Sequence, residues 1–136
     1  MSNRPGGQGH DLYRAIKLPD SSYMVENLTI LNSPKTEYTP CVSPDGSYII
    51  FTSERKGGFG YSDLYISFLD KNNEWITPLN MEIPGENYGV NFKGKFSDTP
   101  YITRDGKYLF FNRNGIHWIR TEKLIDHLRR IAFKEH

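Results

Sequence analysis

Apolar positions follow two rhythms along this chain of 136 residues. Tyr48, Ile49, Ile50 and Phe51 form an unbroken apolar run, the pattern of a strand covered on both faces. In residues 63–68 (DLYISF), Leu64, Ile66 and Phe68 recur at every second position and predict another strand. Before the first run stands Ser43-Pro44-Asp45-Gly46. Pro44 pre-sets φ, Asp45 accepts from nearby backbone N–H groups, and Gly46 tolerates positive φ, so a turn is predicted. The β-prone residues on both sides make that turn a hairpin. Residues 70–74 (DKNNE) form a polar turn, and Trp75-Ile76-Thr77-Pro78 predicts a short fourth strand at a sheet edge. Near the end the rhythm becomes helical. Leu124, Ile125, Leu128 and Ile131 fall on one stripe, Thr121 predicts an N-cap, and Glu122 suits the first turn. Arg129, Arg130 and Lys134 near the far end complement the helix dipole.

The strand pattern recurs. Residues 39–51 align without a gap on 99–111, matching Thr39 to Thr99, Pro40 to Pro100, Asp45 to Asp105, Gly46 to Gly106, Tyr48 to Tyr108 and Phe51 to Phe111. An offset echo pairs residues 2–13 with 53–65: an Arg and a Gly-rich stretch, then Asp11-Leu12-Tyr13 against Asp63-Leu64-Tyr65. Tyr61 is an extra residue in the later copy. A third, eroded copy runs Asn112-Arg113-Asn114-Gly115 and then Ile116-His117-Trp118. A unit of four antiparallel strands in roughly 40 residues, repeated, is the signature of a β-propeller blade.

The run T-P-x-x-S-P-D-G-x-x-I-x-F-x-S-x-R-x-G followed by D-L-Y resembles the WD40-like repeat of TolB-like propellers. The likeness is close over 39–78, good over 98–115 and partial at 2–13. It implies an all-β fold: a partial β-propeller of about two to three four-stranded antiparallel blades with a short C-terminal helix. Residues 2–38 are then the back half of one blade plus a connection. Residues 39–80 form a complete blade, 81–120 a linker and the last blade, and 121–133 the helix. The last unit departs from the pattern, with Arg104 at the turn proline and no Asp-Leu-Tyr, as terminal repeats often do. Its shortened Gly-rich loop predicts a tighter turn before the final strand.

The resemblance also implies a ring of about six blades. Three cannot close one without open sheet edges. The remaining blades are therefore expected from a longer chain or from a second copy of this one. The closing helix reads as a natural C-terminus. Proteins of this family are often exported in bacteria. The opening MSNRPGGQGHDLY has no apolar h-region, so an export signal would have to lie upstream of Met1.

Composition narrows the chemistry. Aromatics make up 14% of residues, which fits strands rather than disorder. Net charge is +1, so no global field recruits nucleic acid or a membrane surface, and no apolar run is long enough to insert in a bilayer. The single cysteine, Cys41, reads as a small buried hydrophobe. G-x-S-x-G is absent, and no histidine sits in a nucleophile motif. His10 beside Asp11 is a possible acid–base pair, but Asp11 reads as the repeated Asp that binds backbone at a strand start. No metal or cofactor motif is present. Asp45, Asp63, Asp98 and Asp105 recur with the repeat and read as turn braces.

Arg4, Arg55 and Arg113 adjoin the loops at corresponding places, and exposed Phe59 and Tyr61 lie nearby. As a ligand site, these five would face a shared protein, peptide or carbohydrate ligand. As structure, each Arg would bond an acid or carbonyl of a neighbouring blade and lock the ring. The function expected is a non-catalytic binding or scaffold module. The alternative is the non-catalytic propeller portion of a prolyl-oligopeptidase-type hydrolase.

Overall fold

The computed structural model describes residues 9–134. It is mostly β, with three antiparallel sheets followed by one helix. The first is a hairpin of β1 (Tyr13–Lys17) and β2 (Tyr23–Asn27). The second holds β3 (Glu37–Val42), β4 (Tyr48–Ser53), β5 (Asp63–Phe68) and the two-residue β6 (Leu79–Asn80), paired in chain order. The third holds β7 (Asp98–Ile102), β8 (Tyr108–Asn112) and β9 (Ile116–Arg120). Helix α1 (Thr121–Ala132) follows where a fourth strand would stand.

The middle sheet is buried on both faces, as the Tyr48–Phe51 run predicts. Tyr48, Ile50, Leu64, Ile66 and Phe68 meet Ile102, Leu109 and Phe111 of the third sheet, with Leu124, Ile125 and Leu128 of the helix closing the cluster. On the other face Ile49, Phe51 and Tyr65 meet Leu12 and Leu31. Cys41 is partly buried against the larger cluster.

The repeated turns act as their residues dictate. Asp45 Oδ1 accepts from Ser43 Oγ (2.7 Å), Ser47 N (3.0 Å) and Ser47 Oγ (2.7 Å). Gly46 takes a φ of 74° and its N–H reaches the Ser43 carbonyl. Asp105 repeats this with Thr103 Oγ1 and Lys107 N, and Gly106 has a φ of 73°. The Thr-Pro pairs have a role their sequence does not announce. Thr39 and Thr99 sit at φ 49° and 53°, each inside a register shift, so both first strands carry the same β-bulge.

These hydrogen bonds hold the Asp45 carboxyl well below its usual range, at about 2, chiefly through Ser43 and Ser47, and Thr103 and Lys107 lower Asp105. A lowered folded-state value gives stability that is complete above the unfolded value of 3.8 and is lost as pH falls through about 2. Asp45→Asn with Asp105→Asn should therefore flatten the fall in melting temperature between about pH 5 and 2. An unchanged acid slope would contradict these partners.

Three expectations need correction. Trp75–Pro78 is not the fourth strand: Trp75 makes one bridge to Leu69, and β6 begins after Pro78. Proline lacks the ladder N–H, so regular pairing resumes only beyond it. Thr121 is the first helical residue, not the cap. Its hydroxyl donates to the Gly106 carbonyl (2.5 Å), tying the helix start to the turn before β8, and Arg120 at the N-cap makes no side-chain cap bond. Ile131 is 39% exposed and lies off the buried stripe of Leu124, Ile125 and Leu128. The helix also reaches past the last sheet. Phe133 packs on Phe68, and Arg129 lies over the Phe68 ring and near Ser47 Oγ.

Candidate functional site

The start of β3, the end of β4 and the start of β5 coincide, since Glu37 faces Ser53 and Ser53 faces Asp63. The Gly-rich loop between β4 and β5 therefore lies at one end of the sheets, as does the β8–β9 turn. All described candidate ligand residues cluster at this end. Arg4 lies outside the described residues, as do the glycines at 6 and 7.

Asp63 organises the loop. It is 1% exposed, and its carboxylate accepts from Phe59 N (2.5 Å), Gly60 N (2.9 Å) and Asn80 Nδ2 (2.8 Å). Successive backbone donors thus wrap one buried anion. Asp11 is its counterpart, buried at the start of β1, with Oδ2 3.5 Å from Asn27 Nδ2. Its Oδ1 has no partner among the described residues. The loop is also pinned from outside: Tyr61 N donates to the Lys95 carbonyl, and Ser97 N donates to the Ser62 carbonyl.

Arg55 spans the first and second units. Nη2 donates to the Leu31 carbonyl (2.5 Å), Nε donates to Ser53 Oγ (2.9 Å), and the Glu37 carboxylate lies 3.4 Å from Nη2. Its guanidinium sits 4.7 Å from the Tyr65 ring centre. Glu37 is fully buried and also accepts from Ser33 N, Ser33 Oγ and Ser53 Oγ. Arg113 does the corresponding work one unit on. Nη1 donates to the Gly89 carbonyl (2.7 Å) and lies 3.4 Å from that of Val90, with Phe92 4.1 Å from the guanidinium. The two guanidinia reach equivalent places from different positions, since Arg113 aligns with Ser53 in the ungapped repeat. Both clamp the segment that enters a sheet.

Each clamp keeps an exposed side. Arg55 lines a cleft of about 550 Å³ with Ser33, Pro34, Lys35 and Lys56. Arg113 and Tyr61 line another, of about 450 Å³, with Lys95, Phe96 and Asp98. Tyr61 is 63% exposed and leans on Phe96. Phe59 lines neither cleft. The five candidates are therefore not gathered on one point. The structure places Arg55 in one cleft and Arg113 with Tyr61 in the next.

Sequence reasoning missed the residues that join the units. Asn91 Oδ1 accepts from Leu64 N (2.9 Å), while its Nδ2 donates to the Leu64 carbonyl (3.0 Å) and Asn80 Oδ1 (2.8 Å). Asn32 makes the same set with Leu12 N, the Leu12 carbonyl and Asn27 Oδ1. One amide thus stands in for a strand partner. Glu82 is likewise buried, accepting from Tyr88, Val90 and Asn91 N–H groups. The signal was faint: Leu31-Asn32 against Val90-Asn91 lies in segments that otherwise differ. Among the described residues no group of three or more His, Cys, Asp or Glu side chains is placed to hold a metal ion, and no helix is long and apolar enough to cross a membrane.

The second and third sheets, packed face to face, and the repeated clamps define a segment of a β-propeller. Among solved structures the chain is similar to TolB from Acinetobacter baumannii, at 20% identity and a TM-score of 0.52. The match covers 82% of this chain and 25% of that one, so this chain spans about a quarter of the TolB chain's length. The likeness is one of fold. No family model and no curated protein matches the chain.

Proposed function

We propose that the chain is a non-catalytic binding or scaffold module built from WD40-like repeats of the TolB type, with its ligand site at the loop end of the sheets. The observation that carries this reading is the pairing of rigidity with charge there. Asp63, Arg55 and Arg113 fix the backbone, while Lys35, Lys56 and Lys95 stand exposed around the two clefts. A fixed surface binds without an ordering cost, and clustered cations favour an anionic partner. The ligand class is an acidic segment of a protein or peptide, with Tyr61 as an aromatic contact.

A fluorescein-labelled Glu-rich peptide titrated by anisotropy tests this. Lys35→Ala with Lys56→Ala should weaken binding about tenfold while leaving the melt unchanged, because both side chains are exposed and added salt should weaken binding further. No binding to the unaltered chain, or equal binding to the variant, would overturn the assignment.

A further inference from the structure

We infer that the outer face of the third sheet is an interface that receives the first hairpin of a second copy of this chain, head to tail. This rests on the repeat geometry and is independent of the ligand reading.

The middle sheet shows what such a face is for. There Thr52 faces Leu64 and Ile50 faces Ile66. In the third sheet Asn112 faces Ile116 and Phe110 faces Trp118, in the same register. The ungapped repeat equates Thr52 with Asn112 and Ile50 with Phe110. Ile116 therefore stands where Leu64 stands, and Trp118 where Ile66 stands. Leu64 and Ile66 are fully buried because the next sheet covers them, whereas Ile116 is 80% exposed and Trp118 59%. Tyr101, in the place of Cys41, is 56% exposed. Around Tyr101, Phe110 and Ile116 lies an apolar-walled hollow of about 370 Å³. A face with the blade-to-blade pattern and apolar side chains at the contact positions is an uncovered continuation of the interface already inside the chain.

The other end of the stack is its counterpart. Tyr23 (63% exposed) and Val25 (42%) are two positions apart on β2 and so share one hairpin face with their register partners Lys17 and Ala15. Through Asp11-Leu12-Tyr13 against Asp63-Leu64-Tyr65 the hairpin corresponds to β5 and β6, and Ala15 and Val25 lie on the side by which Tyr65 meets the preceding unit, so the hairpin of another copy offers that side to the open face. The contact is heterologous, so copies chain until the rotation closes a ring.

The test is the molar mass of the full 136-residue chain by light scattering across a concentration series. The expected result is a multiple of 15.8 kDa that dissociates on dilution. Ile116→Glu should shift the chain to monomer with an unchanged circular dichroism spectrum, because the side chain is 80% exposed within its own copy. In a Cys41→Ser background, Val25→Cys and Trp118→Cys chains should form a disulfide dimer when mixed and little of one when separate. A monomer at every concentration overturns the inference and points to a further blade of the same polypeptide as the occupant. Covalent dimers from Trp118→Cys alone also overturn it, as do aggregates that Ile116→Glu does not disperse.

Discussion

Asp63→Ala should cost about 3–4 kcal/mol of folding stability, seen as a lower denaturation midpoint with little change in slope. The carboxylate is buried and among the described residues is the only acceptor for the Phe59 and Gly60 N–H groups, besides taking one Asn80 amide hydrogen. Hydrogen bonds to a charged acceptor are worth about 1.5–3 kcal/mol each, and their removal strands donors in a partly buried loop. The individual values do not add in full, because water can reach part of the vacated space. Asp63→Asn should recover a part only, since its NH₂ group must face either the loop donors or the Asn80 amide. Urea titration of the three proteins, ordered wild type, Asn, Ala, is the check. An Ala variant within about 1 kcal/mol of wild type would show that the carboxylate does not organise the loop.

Gly60→Ala should be nearly as damaging, at about 3 kcal/mol, for a reason unrelated to backbone freedom. A Cβ there would overlap the Lys95 carbonyl oxygen and lie 2.7 Å from that of Phe92. Neither oxygen can retreat cheaply. The Lys95 carbonyl accepts the Tyr61 N–H, and the Phe92 carbonyl accepts the Lys95 N–H. Gly57 in the same loop is the control. It has a φ of 91° with open space around it, so Gly57→Ala should cost only about 1 kcal/mol. Thermal melts of both variants should therefore separate by several degrees, Gly60→Ala lower. Equal melts, or the reverse order, would mean that the loop does not press on the third sheet's entry segment.

What the sequence revealed and what it hid divide along physical lines. Local signals were legible. The Asp-Gly turns, the doubly buried Tyr48–Phe51 run and the Leu124–Leu128 stripe depend on neighbours close in the chain, and each took its expected form. The repeat itself announced consecutive sheets, because each copy must rebuild the same packing. Long-range polar joints were not legible. Asn91 reaches Leu64 across 27 positions, and nothing near either residue marks the pair. Glu37 and Glu82 are buried, and no pattern in the sequence around them marks either. The arginines were found by position, but their targets, the carbonyls of Leu31 and Gly89, carry no side-chain signature. Boundaries failed where one residue outweighed the pattern: Pro78 displaced the fourth strand, and the Gly106 carbonyl drew Thr121 away from capping.

Neighbouring units bury the middle sheet on both faces while the first hairpin projects outward. Amide hydrogen exchange followed by mass spectrometry, at concentrations low enough to disperse oligomers, tests it most directly. The account predicts slowest exchange at 48–53 and 63–68, where every residue is buried, and fast exchange at 23–27. Exchange at 48–53 as fast as at 23–27 would contradict it.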